Sequence, residues 1–221
     1  MKYLRKFETE ADVNMSVVPN VVLVGDTGKV IYNVLNGVYI QHINGTLYTT
    51  DEWTAGGFAN DQANGVAVGE GAVKFVIAKE DVSTSMKWTS IYATTFIDGV
   101  FIADSKETAI TDYAGASNTV VISDADSESA AAACKNYAFP NGKNGYLAAE
   151  GEWLVVAKNK SKINSALTLI GGTSFPTNAK YCSSTQYGET TIWVWQFSTS
   201  SNGISYDWKT NNQRVRAFTA L

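Results

Sequence analysis

At 221 residues the chain is long enough for one large domain, or for a domain preceded by an anchoring segment, and 45% apolar against 17% charged residues excludes a disordered polymer. A formal net charge of −4, with lysines and arginines scattered along the chain, excludes the clustered positive stripe of a nucleic-acid binder. The opening MKYLRKFETEADVN turns acidic before any apolar run develops, and the longest apolar stretch, residues 17–24, is broken by Pro19 and Asn20; neither a secretion signal nor membrane insertion is expected.

The first 36 residues read as a unit of their own. Val21-Val22-Leu23-Val24 predicts a buried strand, Asp26-Thr27-Gly28 a turn, and residues 29–32 a second strand. A hairpin this small buries too little apolar surface to stand alone, so it must lean on something. Residues 1–36 are therefore expected to be an attachment segment, and residues 37–221 the main domain.

From Gly37 the turn signals repeat. Val38-Tyr39-Ile40 and Thr46-Leu47-Tyr48 flank Asn44-Gly45, a strong hairpin cue. Residues 65–68 and 73–78 flank Gly69-Glu70-Gly71, and residues 96–97 and 100–102 flank Asp98-Gly99, giving two more hairpins. Residues 120–122 predict a short strand. Helices follow in a block: 127–137 with four consecutive alanines, 150–158 with Trp153 and Leu154, and a third capped by Ser161. In that third helix Ile163, Ala166, Leu167 and Ile170 fall at helical spacing, and Gly171-Gly172 stops it. Strands return at 191–197, 203–208 and 214–218. Strands, then helices, then strands predict an α+β fold.

Two groups of motifs lie within that order. The first is Gly145-Tyr146-Leu147-Ala148-Ala149-Glu150-Gly151-Glu152-Trp153, followed by the helix that ends at Gly171-Gly172. The second is Tyr181-Cys182-Ser183-Ser184-Thr185-Gln186-Tyr187, then Trp193-Val194-Trp195-Gln196-Phe197 and the closing Arg214-Val215-Arg216-Ala217-Phe218. Together they resemble the C-type-lectin fold of the variable proteins diversified by retroelements, and of related phage and Bacteroidetes surface proteins. There the pattern runs G-Y-L-P-S-x-x-E-(W/L), Y-W-S-S-T-E-Y, W-x-x-x-F and R-V-R-x-(V/F). Val66, Phe75 and Trp88 resemble the family's earlier strands. Two departures stand out: Ala148-Ala149 replaces Pro-Ser, and Cys182 replaces the usual Trp. The calcium triplets of animal C-type lectins are absent, so calcium-dependent sugar binding is not implied, and no cofactor or metal is expected.

The resemblance implies a ligand face built between the second motif and the closing one. Its residues here are Gln186, Tyr187, Glu189, Thr191, Trp193, Trp195, Ser205, Tyr206, Asp207, Trp208, Thr210 and Asn211. Tyr and Trp give rigid contact area, and Ser, Thr and Asn give adaptable hydrogen bonds. Trp193, Trp195 and Phe197 share one strand face by period two, so at least one of them belongs to the core; Tyr206 with Trp208 is the better exposed pair. Arg214 and Arg216 alternate on a strand, and a structural role, bonding carbonyls or an acid such as Glu152, is expected over ligand contact.

Catalytic patterns are missing. His42 is the single histidine and sits by Asn44-Gly45, which excludes multi-histidine metal sites and leaves one possible base with no recognisable nucleophile beside it. Asp124, Asp126 and Glu128 suit the start of a helix better than a cation site. Cys134 and Cys182 fit either two free buried thiols or one disulfide. Formylglycine-generating enzymes share the lectin-like fold and use a cysteine pair, a minor alternative. The expected protein is not an enzyme. The resemblance implies a phage virion surface protein, a head or tail fibre assembled in the host cytoplasm, homotrimeric, docked on other virion proteins through residues 1–36 and binding a host-cell surface glycan or protein. The alternatives are a capsid-decorating protein without a receptor role and a bacterial surface adhesin.

Overall fold

The computed structural model describes residues 35–198 and 203–221, together with the backbone of two short strands, β1 (Leu23–Val24) and β2 (Val30–Ile31). These two pair antiparallel, Leu23 opposite Ile31 and Val24 opposite Val30, as the predicted hairpin requires. The docking role expected for residues 1–36 falls almost wholly outside the described residues.

The main domain begins with β3 (Gly37–His42) and β4 (Leu47–Tyr48), joined by the Asn44-Gly45 turn. Gly45 takes φ +89°, which a residue with a Cβ rarely adopts, so the turn depends on it. The helix α1 (Thr50–Gly56) follows; Thr49 and Glu52 cap it reciprocally and Trp53 is buried beneath it. β5 (Ala63–Glu70) and β6 (Val73–Ile77) form the second predicted hairpin. β7 (Ser83–Lys87), mostly polar and exposed, is a strand that sequence patterning missed.

The third predicted hairpin does not form. Residues 96–102 make a turn, but the flanks face Gln186 instead of each other: Ile97 exchanges two hydrogen bonds with the Gln186 carboxamide, and the Gln186 backbone bonds Phe101 and Ala103. One buried amide side chain takes the place of a partner strand. The short helices α2 (Lys106–Ala109) and α3 (Gly115–Ala125) come next. Residues 120–122, predicted as a strand, lie inside α3, where Ile122 is buried while Val120 points outward. Their β propensity gives way to a tertiary anchor, the Thr119 hydroxyl, which accepts from the Leu147 amide.

α4 (Ala130–Lys135) is shorter than the predicted 127–137 and is capped by Ser129, and β8 (Tyr146–Leu147) leads into α5 (Glu150–Leu169). The two helices predicted there are one of 20 residues. Residues 158–162 hold no glycine or proline; they are an outward-facing polar turn, and Ser161 is an interior position, not a cap. Gly171 then ends the helix at φ +70°, with the Gly172 amide bonded back to Leu167.

β9 (Ala179–Gln186), β10 (Thr191–Phe197), β11 (Gly203–Trp208), β12 (Asn212–Val215) and β13 (Ala217–Ala220) complete the chain. They close two sheets, ordered β4-β3-β5-β6-β13-β8 and β11-β10-β9-β12-β7. Residues 214–218, predicted as one strand, are split at Arg216, where the chain crosses from the second sheet to the first. Trp153 of α5 fills the junction: its ring centroid is 5.0 Å from Tyr181, 5.1 Å from Phe218 and 6.1 Å from Phe197. Its indole N–H donates to the Cys182 carbonyl at 3.1 Å, so a polar bond fixes the pose of the largest core side chain. The α+β class is as predicted.

Candidate functional site

β11 is the edge of the five-stranded sheet, and its alternation divides it into two faces. Ile204, Tyr206 and Trp208 share one face, Ser205 and Asp207 the other. Tyr206 lies opposite Trp193, and Trp208 opposite Thr191. Tyr206 and Trp208 are each 55% exposed, two large aromatic side chains side by side in water.

A packed floor holds them. Tyr187 lies 4.7 Å from Trp193 and 4.9 Å from Tyr206 between ring centroids, and Trp193 meets Tyr206 edge-on at 88°. Trp193 is buried and donates from its indole nitrogen to the Ala103 carbonyl at 2.9 Å. The same carbonyl belongs to the loop 101–103, in which Phe101 packs on this cluster and Ile102 is 48% exposed. Ile102 itself is held by a bridge to Gln186, 84 positions later in numbering.

The opposite face is braced by charge. Asp207 accepts from Lys180 at 2.8 Å and Gln213 at 2.7 Å on one oxygen, and from Asn211 at 2.6 Å and the Trp208 amide at 2.9 Å on the other. Burial pushes its carboxyl up, but Lys180 and these donors outweigh that and hold it below the ordinary range. With both oxygens used, Asp207 fixes the turn after β11 instead of waiting for a ligand. Beside it, Lys180, Gln196, Gln213 and Arg214 line a shallow polar groove.

The structure brings Tyr187, Glu189, Thr191, Tyr206, Trp208, Thr210 and Asn211 to accessible positions around β10 and β11, while Ser205 lies on the opposite face of β11. Four of the residues expected there are not available for contact, Asp207 among them because both its oxygens are used. Gln186 is fully buried, its carboxamide committed to Ile97 and to the Lys209 ammonium at 3.1 Å. Trp195 is 4% exposed because α5 covers it, and Trp193 is the floor of the cluster. Lys209, which no pattern singled out, is buried against the rings of Trp88 and Phe96 and donates to the Thr95 carbonyl at 2.6 Å. Desolvation lowers its ammonium to about 8, partly offset by Glu189.

Arg214 and Arg216 are structural, as expected, but their acid is Asp81, not Glu152. Arg216 donates to Asp81 at 2.6 Å and to the carbonyls of Ala78, Lys79 and Thr173; Arg214 reaches the other Asp81 oxygen at 2.7 Å. Glu152 instead accepts from the Tyr146 hydroxyl at 2.7 Å and the Ala149 amide at 2.8 Å.

The histidine, the cysteines and the acids of residues 124–128 are engaged within the fold. His42 lies among Tyr48, Trp53 and Phe58, with its Nδ1 accepting from the Asn44 amide. Cys134 and Cys182 are free, buried thiols, and burial raises both well above the ordinary thiol range, which disfavours the reactive thiolate. Asp126 caps its turn through the Glu128 amide and accepts from Thr89, while Asp124 pairs with Lys135. Among the described residues no cluster of histidine, cysteine and carboxylate side chains is arranged to hold a metal ion, and no helix is long and apolar enough to cross a membrane.

No family model matches the chain, and no curated protein does. Among solved structures, the chain is similar to a fimbrial protein from Bacteroides ovatus ATCC 8483, with a TM-score of 0.56 and 15% identity over 86% of this chain and 49% of that one. The chain thus spans about half the length of that protein, and the likeness is one of fold.

Proposed function

We propose that the chain is a non-enzymatic binding protein displayed on a surface fibre, with Tyr187, Tyr206 and Trp208 as its contact face. One observation carries this reading. Two large aromatic side chains, each more than half exposed, stand on one edge strand above a packed ring floor and a fully satisfied Asp207 brace. Holding apolar rings in water has a free-energy cost that folding does not recover, whereas rigid Tyr and Trp supply most of the binding energy in recognition surfaces. Glu189, Thr191, Thr210 and Asn211 around the rings suit the polar rim of such a surface.

The carrier is read from two supports. The lectin-like motifs at residues 181–187 and 214–218, with the short N-terminal hairpin, favour a phage head or tail fibre that binds a host-surface glycan or protein. The likeness in fold to a fimbrial protein favours a bacterial surface fibre instead. Immunogold electron microscopy separates them by labelling virions or cell-borne filaments. Light scattering tests the trimer, in which three modest sites gain by avidity; a monodisperse monomer argues against a fibre.

The contact face itself is tested by Tyr206→Ala and Trp208→Ala, alone and together. Adsorption to the target cell is expected to fall at least tenfold in the double variant with an unchanged melting curve. Full adsorption by the double variant would leave the chain as a structural or decorating protein without a receptor role.

A further inference from the structure

Behind the contact face lies a group the binding surface does not use. Asp112, Glu150 and Glu152 converge at the start of α5, all three buried, and no lysine, arginine or histidine among the described residues lies within salt-bridge distance of them. Their surroundings supply few protons. Asp112 takes the Thr185 hydroxyl at 2.7 Å, the Asn118 amide at 3.0 Å and the Ala114 backbone; Glu152 takes Tyr146 and Ala149. Both oxygens of Glu150 are left without a partner.

The hydroxyls near Glu150 explain why. Ser183 donates to the Trp193 carbonyl at 2.8 Å, and Thr185 donates to Asp112 while accepting from the Glu150 amide. The first-turn amide of Gly151 goes to the Asp112 carbonyl. Ser183 can serve an ionised Glu150 only at the expense of its bond to Trp193, whereas a protonated Glu150 can itself donate to the Ser183 oxygen. The groups facing it point the same way: Asp112 ahead of α3, Glu152 on its own helix and Tyr146 on β8 are acids, and β9 presents only hydroxyls. The space is tight as well, since a Cβ on Gly115 would come within 2.2 Å of the Glu152 carboxylate.

This cluster is connected to loop 101–103 under the contact face. Asn118, bonded to Asp112, also accepts from the Phe101 amide at 3.3 Å, and Thr185 adjoins Gln186, whose backbone clamps Phe101 and Ala103. We infer that the Asp112–Glu150–Glu152 cluster is a pH-sensitive latch: protonated at Glu150, it clamps α5 to β9 and holds loop 101–103 under the contact face, and ionisation loosens both. The effect on ligand binding rests on the reading of the contact face above; the latch does not.

Burial, opposed slightly by Ser183 and reinforced by Asp112, raises the Glu150 carboxyl to about 8, and burial likewise raises Glu152 to about 7. For acids raised in the folded state, stability is full below the unfolded value, near 4.5, and is lost as pH climbs towards 7–8.

The experiment compares the wild-type chain with Glu150→Gln by thermal melting from pH 5 to 8.5, with hydrogen exchange of the Gln186 and Ala103 amides at the two ends. The wild-type melting temperature should fall by roughly 5–10 °C across that range, and Glu150→Gln should lose most of the fall. In the wild type, exchange at Gln186 and Ala103 should speed up beyond the intrinsic pH effect, and in the variant it should not. Parallel profiles overturn the latch, as does a fall abolished by Glu152→Gln but not by Glu150→Gln; normal exchange at Ala103 overturns its link to the loop. If Glu150→Gln does not fold, a carbon-13 carboxyl titration of wild-type Glu150 decides, and a midpoint below pH 6 rejects the proposal. None of these readouts needs a ligand, so loss of the contact-face reading leaves them standing.

Discussion

Two buried charge clusters involve β9, and they are built on opposite principles. In one, Asp81 is only 4% exposed yet meets Arg216 and Arg214 at 2.6 and 2.7 Å, with the Tyr181 hydroxyl donating to it as well. In the other, Asp112, Glu150 and Glu152 are buried together with no cation among the described residues in salt-bridge reach. Equal burial therefore has opposite consequences. In the first cluster each charge is paired and hydrogen-bonded; in the second, burial raises all three carboxyls. The Asp81 cluster is where a residue cannot be removed, and the Glu150 cluster is where pH is felt.

The largest expected effect comes from Asp81→Ala. It strands the fully buried Arg216 beside three carbonyls and leaves Arg214 half-free, so unfolding in denaturant should show a loss of about 3–5 kcal/mol. A loss under about 1 kcal/mol would mean that the two clusters do not differ as described. Next comes Glu150→Gln, which should be more stable than the wild type by roughly 1–3 kcal/mol at pH 8 and close to it at pH 5. The midpoint of urea unfolding at the two pH values checks the sign.

Smaller effects sharpen the contrast. The exposed Lys158–Glu70 ion pair, with side chains about half in water, should cost about 0–1 kcal/mol when Glu70 becomes Gln, and less in high salt. Smallest of all on stability should be Tyr206→Ala and Trp208→Ala, within about 0.5 kcal/mol in the same unfolding assay, because neither ring is needed to close the core. A large loss there would show that the rings are a structural element and not a contact surface.

Some of the fold was legible from short patterns. Asn44-Gly45, Gly171-Gly172, Ser129 ahead of the alanines, and the period-two runs at 191–197 and 203–208 each report a constraint acting within about four residues. Alternation puts Tyr206 and Trp208 on one face, and the resemblance to the lectin-like family pointed to that face as exposed. The capping pair Thr49 and Glu52 was equally readable and marks α1, an element the strand-rich reading of that region passed over. Residues 158–162 misled because a polar stretch resembles a break when its outward direction is unknown. Residues 120–122 misled because β-branched side chains favour strands until a neighbour such as Leu147 anchors the helix.

The amino-acid sequence by itself determined the turns, most helix ends and the alternation that puts Tyr206 and Trp208 on one face, since each depends on backbone geometry and on neighbours a few residues away. Only the tertiary structure decided that Arg216 meets Asp81 across 135 residues, that Gln186 is buried in place of a strand partner, and that three carboxylates gather with no cation among the described residues in reach. Local pattern carries no information about which distant side chain arrives to share a charge or a hydrogen bond. In a buried site that arrival, more than the residue itself, sets whether a group is paired, protonated or free to bind.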